Sequence, residues 1–158
     1  MITLKVTEEM ARNIYASASD EMRKILESSC DKKILTGDVM DRVKDYIDAC
    51  RELGVEPYDE DKLMKLGLTK NDMAYLKLTV VVEALNEGWK PDVYDSDVQR
   101  WYPWFKPNGS PSSFAFRVSD YDLELAFAGS GSRLALKSEE LANYCGKQFL
   151  DLWKEFII

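Results

Sequence analysis

The 158-residue chain carries carboxylates, thiols and glycines at spacings that could do chemistry, and it carries no histidine. Asp92, Asp95 and Asp97 in "DVYDSD" could form a calcium loop. The segment lacks the glycine at the sixth place and the closing glutamate of an EF-hand, so it reads as a solvated turn. Asp120, Asp122 and Glu124 in "DYDLE" are spaced for one face of a strand. Paired carboxylates can do acid–base work, but this alternation also marks the wet face of a sheet. "GSGSR" has the composition of a phosphate cradle, which needs a helix directly after it. A strand pattern follows instead, so the segment reads as a hairpin turn. Lys137-Ser138 does open a helix, but Glu139 and Glu140 already occupy its positive end.

The missing histidine removes the Ser-His-Asp and Cys-His nucleophile systems, the commonest acid–base residue and the commonest metal ligand. Cys30, Cys50 and Cys145 are odd in number and scattered, with no CxxC. That pattern fits neither a disulfide framework nor a zinc cluster and suits a reducing cytoplasm. We therefore expect a non-enzymatic protein with no catalytic residue, no metal site and no cofactor. An enzyme would have to work with carboxylates, Lys, Tyr or Cys alone.

One further constellation is aromatic. "RWYPWFKPNGSPSSFAF" places Trp101, Tyr102, Trp104, Phe105, Phe114 and Phe116 within seventeen residues, broken by three prolines and a glycine. Such rings could stack nucleic-acid bases, with Arg100, Lys106 and Arg117 close by. They could equally fill the gap between a small sheet and a helical body, because each buries a large area. Period-two geometry separates Trp101, Pro103 and Phe105 from Tyr102 and Trp104. The first set is expected inward, against Phe149, Leu152 and Trp153. The second is expected at the rim. Tyr102, Trp104, Arg100 and Lys106 are thus the candidate contact surface.

The elements that must position these residues follow from periodicity. Residues 1–88 read as mostly helical. "ITLKVT" alternates as a short strand or extended lead-in. Thr7 can cap a helix over about 7–29 whose stripe is Met10, Ile14, Ala18, Met22, Ile25 and Leu26. "GDVMDRVKDYIDACRELG" reads as a second helix, with Asp38 near its start and Gly54 just past its end. Val39, Val43, Tyr46, Ile47, Cys50 and Leu53 line its apolar face. A connector follows, with one helical turn at Asp61–Leu66. Thr69 and Asp72 approximate a capping box before a central helix that is ended by Gly88.

Residues 89–137 change character and read as a small antiparallel sheet. "WYPWF", "SSFAFRV", "DLELAFA" and "SRLALKS" are its strands, and "KPNGSPSS" and "AGSGS" its turns. Pro103 places the first of these at an edge or bulge. Arg133 and Lys137 are expected to share the outer face and pair with Asp122 or Glu124. Residues 138–158 close the chain as a terminal helix capped by Ser138. Gly146 inside that helix implies a close neighbour. The expectation is a single α+β domain: a helical N-terminal half, a small antiparallel sheet and a C-terminal helix over it.

Bulk properties limit the partners. Net charge is −7 and the pI about 4.7. No third of the chain is basic, which argues against general binding to a nucleic-acid backbone. The longest apolar run is interrupted by Glu83 and the start lacks an apolar leader, so no membrane association is expected.

The pieces "DRVKDYIDACRELG", "VVVEALNEGWKPD", "YPWFKP" and "GSRLALKSEELANYCGKQFLDLWKEF" occur in that order over residues 38–158. They resemble a family of small uncharacterised proteins of bacteriophages and prophages of gut anaerobes. "LNEGW", "YPWF", "GSRL" and "GKQFLDLWK" are the most specific parts. The resemblance implies a virus-derived cytoplasmic accessory protein and supplies no catalytic residues. The expected partner is another protein, of host or phage. The alternative is a nucleic-acid-associated phage protein using the aromatic sheet face.

Overall fold

The computed structural model describes residues 6–31, 34–35, 37–92, 94–95, 97–106, 114–122 and 132–158. Among them are eight α-helices and a two-stranded antiparallel sheet, an α+β architecture.

The first expected helix is two. α1 (Glu8–Ser17) starts where the Thr7 hydroxyl accepts from Met10 N at 3.1 Å. Ala18 is extended, and Ser19 caps α2 (Asp20–Ser29). The small polar run "SASASD" favours this break, because a serine cap competes with continuing the helix. Arg23 then donates to the carbonyls of Tyr15 and Ala16 at 3.2 and 3.3 Å. Met10, Ile14, Met22 and Ile25 were expected to be buried, but they are exposed, and α2 contains no buried residue.

The second expected helix also divides, into α3 (Val39–Arg42) and α4 (Tyr46–Leu53). The carbonyls of Val43 and Lys44, freed from helical pairing, accept from Tyr144 Oη and Gln148 Nε2, both at 2.7 Å. Asp45 restarts the helix by accepting from Asp48 N at 2.8 Å, while Asp48 accepts from Lys44 N at 3.1 Å. Asp38 caps α3, and Gly54 ends α4 in the left-handed region at φ 65°. Ile47 is exposed rather than on the apolar face, whereas Val43 and Cys50 are core.

The short α5 (Glu60–Lys65) precedes α6 (Lys70–Asn86), whose Thr69/Asp72 capping box forms as expected. α6 is buried nearly all round by Met73, Ala74, Leu78, Val80, Val81, Val82, Ala84 and Leu85. It packs against α4 and the last helix. Its end differs from expectation: Glu87 takes the left-handed cap (φ 49°) before Gly88.

β1 (Arg100–Lys106) and β2 (Ala115–Asp122) pair antiparallel, Trp101 opposite Tyr121 and Trp104 opposite Val118. A bulge follows Trp104, so that Phe105 faces Phe116 and Arg117 is the extra residue. "SRLALKS" is not a strand. It is a 3-10 turn (Ser132–Leu134) and a single bridge at Leu136. Trp101 exchanges both backbone bonds with Leu136, at 3.0 and 2.9 Å. Two residues on, at the same edge, Pro103 has no N–H to donate, so the ladder stops. "ITLKVT" over residues 2–5, both expected turns, and "DLELAFA" beyond Asp122 lie outside the described residues.

The terminal helix is α7 (Glu139–Gln148) and α8 (Leu150–Ile157), bent at Phe149 (φ −109°, ψ 30°). The bend serves two partners: α7 covers the sheet and α8 lies on α6. Ser138 caps α7 as expected. Gly146 is where the sheet touches: an added Cβ would strike the Phe116 ring and lie 2.7 Å from Pro103 Cβ.

Candidate interaction surface

The hairpin has two unlike faces. Inward, Phe105 stacks on Phe114 with centroids 4.9 Å apart, and reaches Trp153 at 5.4 Å and Phe116 at 6.1 Å. Pro103 and Phe114 are buried; Trp101 and Phe105 are partly buried against the core. The expected inward set is therefore inward, and Phe105 meets Trp153 of α8, but neither large ring is fully enclosed. Ser119 donates its hydroxyl to the Glu139 carbonyl at 3.3 Å, tying β2 to α7.

Outward, Trp104 is 55% exposed opposite Val118 at 43%. Lys106 is exposed opposite Ala115, and Arg117 is exposed at the bulge. Neither cation makes an ion pair among the described residues. Tyr102 is half-buried, partly exposed as expected, though less so than Trp104. Arg100 leaves the candidate surface altogether. It is 4% exposed, and its Nη2 donates to the carbonyls of Asp92 and Asp95 at 3.0 and 3.5 Å. Its local spacing matched an outward face, but its length let it fold back onto the preceding loop.

That loop is the acidic triplet. Asp92 and Asp95 accept from the backbone N–H two residues on, each at 2.9 Å. Their side chains make turns with their own backbone. No group of three or more His, Cys, Asp or Glu suited to a metal ion occurs among the described residues. Cys50 and Cys145 are buried, and burial pushes the Cys145 thiol up to about 12. Neither is a nucleophile in the folded chain.

A second charged constellation was not visible in the sequence. Glu52, 2% exposed, pairs with Arg12 of α1 and with Arg42 of α3, whose Nη2 lies 3.3 Å away. Arg42 continues to Glu87 at 2.7 Å, and Glu87 to Lys137 at 2.9 Å. Lys137 thus pairs with the end of α6; Asn86 places it there by accepting from Lys137 N at 3.0 Å, and Glu124, one of the expected partners, lies outside the described residues. Burial would raise the Glu87 carboxyl, but the hydrogen bonds and positive charges of Lys137 and Arg42 together outweigh it and hold the group below the ordinary glutamate value. The one local signal is Glu52 falling three residues after Ala49, on the buried side of α4. The five charges form one chain of pairs that ties these elements together.

Comparison with known proteins adds no kinship: no family model, curated protein or solved structure matches the chain.

Proposed function

We propose that the chain is a non-enzymatic, phage-type accessory protein that binds another protein through the outer face of the β1–β2 hairpin. The observation that carries this is Trp104, 55% exposed beside Val118 on a strand whose other face is held to α7 and α8. A rigid strand presenting a tryptophan flanked by cations has the composition of an interface anchor. Leaving that ring in water has no packing benefit to the monomer. The resemblance to phage proteins makes a host or phage protein the partner class. The three free cysteines suit work in a reducing cytoplasm. No helix among the described residues is long and apolar enough to cross a membrane.

The test is capture from phage-infected cells by the wild-type chain and by Trp104→Ala, with melting temperatures matched. A partner retained by the first and lost by the second supports the reading. A partner retained equally by both places recognition elsewhere. A single-stranded oligonucleotide that quenches Trp104 at physiological salt would instead favour the nucleic-acid alternative.

A further inference from the structure

A cleft of about 420 Å3 opens between the C-terminal half of α6, the loop that follows it and the 3-10 turn. It brings "NEGWKP" and Arg133, more than forty residues apart in sequence, to one place. Its working side chains are Thr79, Glu83, Asn86, Trp89, Lys90 and Arg133.

We infer that this cleft binds a small flat ring bearing a single anionic group. The Trp89 side chain is half-buried, yet it makes no ring contact, cation–π contact or hydrogen bond with another described residue. The side chain lines the cleft, and its indole N–H has no partner among the described residues. Lys90 and Arg133 are exposed cations without an ion pair among the described residues, as is the Glu83 carboxylate on the α6 side. An aromatic face beside two unspent cations takes a planar ring by stacking and its anionic substituent by charge-assisted hydrogen bonds.

The rest of the lining limits the ligand. Asn86 is already committed to the Ala135 carbonyl (2.8 Å) and Lys137 N (3.0 Å), and Thr79 donates its hydroxyl to Leu76 O at 2.7 Å. Glu83 therefore supplies the uncommitted acceptor, suited to a ring N–H or O–H. Two cations and one carboxylate leave a single net positive charge. That suits one carboxylate or phosphate and disfavours a polyphosphate or a nucleic-acid backbone. The volume lies in the usual range for small-ligand sites, roughly 300–1,000 Å3. The cleft's lining is separate from Trp104, so this inference stands apart from the hairpin reading.

The experiment is an NMR titration of the full 15N-labelled chain, following the indole resonances, with that of Trp89 assigned from Trp89→Phe. The probes are indole-3-acetate and adenosine monophosphate, with inorganic phosphate, acetate and adenosine as the ring-free and anion-free controls. The expected result is a saturable shift of the Trp89 indole by at least one flat anion, with a dissociation constant at or below about 1 mM. Trp104 should not move. Arg133→Gln and Lys90→Gln, both at exposed positions, should each weaken binding about tenfold. Which flat anion binds tells a carboxylate from a phosphate ligand. No shift with either flat anion overturns the inference, as do equal binding by a control or undiminished binding by both variants.

Discussion

The charged junction and the outer face of the hairpin both present cations, and they use them in opposite ways. At the junction, Arg12, Arg42, Glu52, Glu87 and Lys137 link α1, α3, α4, the end of α6 and the segment before α7. On the hairpin, Lys106 and Arg117 stand in water beside an exposed tryptophan. The difference lies in desolvation. A charge taken out of water costs several kcal/mol unless a partner and further hydrogen bonds replace the lost hydration. Glu52 therefore depends on its arginines, and their guanidinium groups are turned onto it rather than toward solvent. Lys106 and Arg117 have not given up their water, so they can exchange it for a partner's carboxylates. The degree of burial decides which charges hold the fold and which are available.

Substitution can break this comparison. Glu52→Ala should have the largest effect, about 3–5 kcal/mol in denaturant unfolding, because it removes the buried carboxylate that faces both the Arg12 and the Arg42 guanidinium groups. A loss under about 1 kcal/mol would mean that the junction is hydrated and the contrast false. Gly146→Ala probes the packed side of the same hairpin. Alanine favours the helix by about 1 kcal/mol, but its methyl would meet the Phe116 ring and Pro103. Overpacking of this kind costs about 1–3 kcal/mol, and with a proline and a ring as obstacles it should win. The expected outcome is a lowered melting temperature, and a raised one would show that α7 can move off the sheet.

Lys137→Ala should cost less, under about 1 kcal/mol, since its pair with Glu87 is partly exposed. Its effect should depend on pH. The folded Glu87 carboxyl titrates below its ordinary value, so the unfolded chain binds that proton more readily. The stability from Glu87 is thus present above the ordinary glutamate pKa, about 4.3, and is lost as pH falls through the folded value. Melting curves of wild type and Lys137→Ala should differ at neutral pH and converge once the pH has fallen below the folded Glu87 value. The smallest effect on stability belongs to Trp104→Ala, within about 0.5 kcal/mol of wild type as for exposed positions. A sharp fall in its melting temperature would make Trp104 part of the packing and remove the proposed surface.

Much of the candidate surface was legible because a strand alternates. The inward placement of Trp101, Pro103 and Phe105 and the outward placement of Trp104 follow from a period of two. Arg100 shows where that reasoning ends. Alternation describes where Cβ points, whereas a long guanidinium can turn back to carbonyls five and eight residues earlier. Arg133 and Lys137 show a second limit. Their expected partners assumed a strand at "SRLALKS", and the proline in β1 left only one bridge for it to form.

By itself the sequence determined the events that need only a few neighbouring residues. Thr7, Asp38, Thr69 and Ser138 begin helices because a side-chain oxygen reaches a backbone N–H two or three residues on. Gly54 ends one because it takes a positive φ without cost. Gly146 announced a close contact, and the missing histidine excluded whole classes of chemistry. Only the tertiary structure decided where the continuous patterns break. Val43 and Lys44 leave the helix because Tyr144 and Gln148, more than a hundred residues later, accept the role of hydrogen-bond donor to their carbonyls. Glu52 is a core residue because Arg12 and Arg42 arrive from two other helices to replace its water. Periodicity measures how a segment would bury a face, but a hydrogen bond or a desolvated charge is settled by the group that meets it, and that group lies elsewhere in the chain.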